Sequence, residues 1–158
     1  MADPFTIIGT TSAVISFVQF AGGIIVTAYS LYESPTDSNS ENDQLEDATA
    51  KMNQLLDTLI VENAAESQSS HVKSITALAT ICHILGVKIL ALLKKTKVKK
   101  AHSLRESIRA TMITVWTKNK VSELQKDLEF CTTQLTLHLQ TIMRYDLNIF
   151  GAGRELMI

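Results

Sequence analysis

Apolar residues along much of this chain fall into rows spaced three and four apart, the period of an α-helix that buries one face. The clearest rows are Leu45, Ala48, Met52, Leu55 and Leu59; Ile75, Leu78, Cys82, Leu85, Ile89 and Leu92; and Val121, Leu124, Leu128, Cys131, Leu135, His138 and Ile142. Each predicts an amphipathic helix laid against a partner surface. Residues 4–32 differ, being apolar nearly all round, and predict one long helix that other helices surround. Asp3 as N-cap and Pro4 at the first helical position start it, and Gly22-Gly23 offer a place for it to bend.

The punctuation between rows sets the remaining boundaries. Ser34, Pro35, Asp37, Ser38, Asn39 and Ser40 make residues 33–43 a loop, and residues 63–70 read as a second connection. Ser103-Leu104-Arg105-Glu106 fits a capping box that opens a short fourth helix ending near Trp116. Thr117 or Asn119 then caps the fifth. Gly151-Ala152-Gly153 is expected to break that helix and leave a short tail. No internal repeat and no strand competes with these helices. The expected fold is all-α: a single-domain bundle of about five helices over residues 1–144, with a long hydrophobic N-terminal helix, and a tail of unassigned role over residues 145–158.

Composition is compatible with this and narrows the function. The chain has 158 residues, 46% hydrophobic and 20% charged, with only six glycines and two prolines, which suits one core built from long helices. Fifteen basic and 16 acidic residues sum to -1, which argues against a general nucleic-acid binder. Two cysteines are too few for a disulfide scaffold and point to a reducing compartment. The near-zero sum conceals three segments of opposite character. No charge occurs between Asp3 and Glu33; an acidic stretch from Asp37 to Glu66 is opposed only by Lys51; and residues 67–105 hold eight basic residues and no acid.

The uncharged N-terminal segment lacks the positive flank of a secretory signal. It is long enough for the roughly 20 apolar residues of a membrane span. Its threonines, serines, Gln19 and glycines make permanent insertion marginal. Two readings stay open, a core helix and a helix packed at rest that inserts when released. The same division applies to Lys94, Lys95, Lys97, Lys99 and Lys100, which read either as a solvated helix end or as a cluster attracted to anionic lipid headgroups. Gly9, Gly22 and Gly23 either give flexibility or allow close helix packing.

Catalytic chemistry is not signalled. His71, His83, His102 and His138 are scattered, with no His-Glu-x-x-His and no Cys-x-x-Cys, so neither a metal nor another cofactor is expected, and no catalytic residue is assigned. Cys82, Trp116, Cys131 and His138 are expected to anchor the core, His138 as a hydrogen-bonded core histidine.

Several segments resemble one family. Met-Ala-Asp-Pro-Phe-Thr-Ile-Ile-Gly at residues 1–9, Phe17-Val18-Gln19-Phe20-Ala21-Gly22, Trp116-Thr117-Lys118 with Val121, Glu123, Leu124 and Leu128, and Leu135-Thr136-Leu137-His138-Leu139 are similar in order and spacing to the HeLo-like domains at the N-termini of fungal NLR and STAND-type proteins. The likeness runs to about Arg144. It implies a cell-death effector of fungal non-self recognition, cytoplasmic at rest and at the plasma membrane once activated. In such a protein the N-terminal helix permeabilises membranes after self-association, under an NLR-like or amyloid-signalling regulator. The chain shows no phosphate-binding loop and no amyloid motif, so that regulator is expected elsewhere. The residues expected to hold the helix in the bundle at rest and to enter the membrane are Phe5, Ile7, Ile8, Val14, Ile15, Phe17, Val18, Phe20, Ile24, Ile25 and Val26. The alternative is a non-enzymatic interaction or oligomerisation module of an NLR-like receptor that has no membrane step.

Overall fold

The computed structural model describes the backbone of residues 4–33, 41–59, 70–102 and 108–155, and side chains within 7–29, 44–59, 70–101 and 110–144. Among the described residues five helices follow in order: α1 Pro4–Glu33, α2 Glu41–Leu59, α3 Ser70–His102, α4 Ile108–Val115 and α5 Lys118–Glu155. The described residues contain no strand, so the all-α bundle read from the sequence is the fold.

Differences from expectation lie at the helix ends. Helix α2 begins at Glu41, inside the segment expected to be loop, where a helix start gains from acidic side chains near its free amides. The capping box at residues 103–106 lies outside the described residues. Thr117 caps α5: its Oγ1 accepts the backbone N–H of Lys120 at 3.4 Å, and its carbonyl accepts that of Val121 at 3.0 Å. The expected break at Gly151-Ala152-Gly153 does not occur, because α5 stays helical to Glu155. No described glycine has a positive φ, so neither Gly151 nor Gly153 supplies the left-handed cap that ends a helix.

Packing follows the apolar content of each helix. Helices α1 and α3, the two that are both long and apolar enough to cross a bilayer, each pack against all four others and form the hub. Paired contacts set directions. Lys97 reaches Glu46 at 3.1 Å while Gly86 meets Leu56, so α2 and α3 are antiparallel. Lys88 pairs with Asp127 at 3.2 Å and Glu123 at 3.8 Å while Cys82 meets Cys131, so α3 and α5 are antiparallel too. The core is one cluster, with Phe17, Met52, Ile75, Ile89 and Trp116 among its largest fully buried side chains. Trp116 sits where α4 gives way to α5. Its indole N–H donates to Thr96 Oγ1 at 3.1 Å, and the Thr96 hydroxyl donates to the Leu92 carbonyl at 2.8 Å, so this buried polar pair is satisfied.

Candidate functional site

Helix α1 buries a single stripe. Val14, Phe17, Ala21, Ile25 and Ala28, spaced three, four, four and three apart, are all buried against the bundle, while Ile7, Ile15, Val18, Phe20 and Ile24 are half-buried on its flanks. Two of the eleven residues expected to hold the helix at rest do not: Ile8 is 66% exposed and Val26 68% exposed. The reason is geometric, since both point opposite the buried stripe at 100° per residue. The side chain of Phe5 lies outside the described residues. Ser12, Ser16, Gln19 and Gly23 share the outward face, which therefore mixes small polar and apolar groups. Thr27 on that face donates its hydroxyl to the Gly23 carbonyl at 2.9 Å, so its polar atom is satisfied inside the helix. The segment Ile7–Tyr29 is long and apolar enough to cross a bilayer, and 39% of its most apolar window is buried in the bundle.

Sequence reading missed a second such helix. Ser70–Ala101 of α3 is likewise long and apolar enough to cross a bilayer, and the uncharged run of residues 74–87 is its signal in the sequence. The five clustered lysines all lie on α3, which runs on to His102 rather than ending in a loop among them. Lys94, Lys95 and Lys97 are exposed, Lys99 and Lys100 half-buried, and Lys97 is engaged by Glu46.

The glycines singled out in the sequence are not the close-packed ones. A Cβ added at Gly9 or Gly23 would meet nothing within 4 Å, and at Gly22 only Leu128 Cδ2 at 3.7 Å. The close approach is at Gly86 of α3, where a Cβ would lie 2.5 Å from Leu56 Cδ2 and 2.9 Å from Phe17 Cε2. Three helices meet at that point.

Cys82, Cys131, Trp116 and His138 are all buried. The two thiols are free and neighbour each other across the α3–α5 seam. The Nε2 of His138 has no hydrogen-bond partner, contrary to the expectation of a hydrogen-bonded ring. Burial, helped by the nearby His71, holds its pKa below the ordinary value of 6.5. The unfolded chain therefore takes up a proton near pH 6.5 that the folded chain refuses until lower pH. Stability is complete above that value and falls as the pH drops through the window beneath it. Urea midpoints measured from about pH 7.5 to about pH 5 should fall more steeply for the native chain than for His138→Asn; parallel curves would overturn this.

Among the described residues no three His, Cys, Asp or Glu side chains converge as a metal-binding group. A shallow groove of about 190 Å³ between α3 and α5 is lined by Ile81, Ile84, Leu85, Lys88, Asp127 and Phe130. The features that stand out are therefore surfaces and two long apolar helices. Compared with known proteins, the chain matches no protein-family model, no curated protein and no solved structure.

Proposed function

We propose that this chain is a membrane-targeting effector of regulated cell death, held as a bundle at rest and freed by clustering or by an attached regulator to insert α1. The observation that carries the reading is the state of α1: a helix of bilayer-spanning length and hydropathy whose outward face is already in solvent. Releasing it strips Phe17, Val14 and Ile25 of their neighbours, and hydrocarbon is a medium in which such a helix can keep its backbone hydrogen bonds. The resemblance to HeLo-like domains supplies the biological setting. The exposed lysines of α3 supply attraction to anionic headgroups, about 1 kcal/mol for each one near the surface.

Ser16 provides the test, because it lies near the middle of Ile7–Tyr29 and is exposed in the bundle. Ser16→Asp leaves the folded state intact but puts a carboxylate at mid-bilayer, a change of about 2 kcal/mol or more that should cut activity roughly 30-fold. The readout is dye release from phosphatidylserine-containing vesicles by the full chain clustered through a fused inducible dimeriser. Equal release by native and Ser16→Asp chains, or none from the native chain, would sink the proposal. The interaction-module reading draws on the α3–α5 groove, whose Ile81, Ile84 and Phe130 are exposed. On that reading Phe130→Glu abolishes self-association while Ser16→Asp changes nothing.

A further inference from the structure

Helix α3 is apolar on the side it turns away from the bundle as well as on the side it buries. Ile75, Leu78, Cys82, Ile89 and Leu93 face the core. Opposite them run Ile84, Val87, Ala91 and Val98, of which the three branched residues are 55%, 46% and 58% exposed. At 100° per residue these four lie within roughly 60° of arc, so they form one row along the helix. Lone exposed apolar residues are ordinary on protein surfaces, but this row is bracketed by exposed lysines, Lys73 before it and Lys94 and Lys95 within its C-terminal half. Helix α3 carries seven lysines and no acid from Ser70 to His102.

From this arrangement we infer that the outer face of α3 is a docking surface for an anionic lipid bilayer, used by the intact bundle before α1 leaves it. This rests on the membrane reading above and adds a distinct surface and an order of events. Charge decides among occupants. A second copy placed α3 against α3 would set lysines against lysines, whereas an anionic headgroup layer complements them and accepts the apolar row beneath. Lysine stems are long enough to lie along that row with their ammonium groups at the phosphates. The nearby acids do not cancel the face. Asp127 and Glu123 are taken up by Lys88 on one flank, and Glu46 by Lys97. Gly86 meets Phe17 on the inward side of α3, so docking this way keeps α1 on the far side from the lipid. Binding and insertion are then separate steps.

Co-sedimentation of the full chain with phosphatidylcholine vesicles, with and without phosphatidylserine, separates them. The native chain should bind only the anionic vesicles. Lys94→Gln/Lys95→Gln should weaken binding about 30-fold, two charges at the usual polybasic contribution. Val87→Glu should weaken it about tenfold or more. All three positions are exposed, so thermal melting should be unchanged. The inference is overturned if the native chain ignores anionic vesicles, if both variants bind as it does, or if ultracentrifugation without lipid shows a dimer that Val87→Glu dissociates. Ser16→Asp distinguishes this result from failure of the insertion step. Binding that needs α3, with leakage indifferent to Ser16→Asp, leaves docking standing and removes insertion of α1. Leakage that needs Ser16, with binding indifferent to the α3 variants, does the reverse.

Discussion

Phe17→Ala is expected to lower the stability of the bundle by about 3–5 kcal/mol, the usual cost of emptying a buried phenylalanine site. The ring is fully buried on α1, and its Cε2 lies 2.9 Å from where a Cβ on Gly86 of α3 would sit. Leu56 of α2 reaches the same spot, so three helices line the void and none can collapse into it without disturbing the other two. Against a typical total of about 5–15 kcal/mol, this loss leaves a marginal fold. Urea unfolding followed by circular dichroism measures it, and a loss below about 1 kcal/mol would show that the junction repacks. The same variant bears on function. If packing of α1 is what restrains insertion, Phe17→Ala should release dye from anionic vesicles without being clustered.

The second large effect is at the facing residue. Gly86→Ala forces a methyl to within 2.5 Å of Leu56 Cδ2 and 2.9 Å of Phe17 Cε2, so one or both of these buried side chains must shift. Overpacking of this kind costs about 1–3 kcal/mol, and the better helix propensity of alanine returns up to about 1 kcal/mol of it. The net change should be destabilising by about 1–2 kcal/mol. Gly23→Ala meets nothing within 4 Å and should instead stabilise by about 0.5–1 kcal/mol. Opposite signs for the same chemical change, read from two urea curves, are the check. Combining Gly86→Ala with Phe17→Leu should recover part of the loss, because the two positions share one space; strict additivity would contradict the contact.

How much of this was legible beforehand differs from residue to residue. Pro4 after Asp3 and Thr117 before Lys118 announce helix starts by local chemistry, and the structure has α1 and α5 beginning there. The inward rows of α2, α3 and α5 were readable because a 3.6-residue period needs no knowledge of the partner. Gly86 was not readable. A glycine within a helix looks the same whether its missing Cβ faces water, as at Gly23, or the ring of Phe17. Ile8 and Val26 read as packed in the sequence because an uncharged segment carries little contrast between its faces, yet both are exposed. The outer row of α3 is hidden in the sequence for the same reason, its Ile84 and Val87 being chemically indistinguishable from the inward Leu85 and Ile89.

By itself, then, the sequence determined that the chain is helical, where most of its helices start, and that charge is divided among an uncharged, an acidic and a basic segment, all of which follow from local propensity, capping and composition. Only the tertiary structure decided that α1 and α3 share the hub, that Gly86 rather than Gly22 or Gly23 is the close contact, and which apolar residues remain in solvent. Those depend on which neighbours cover which arc of each helix, and that is a property of packing between segments distant in sequence.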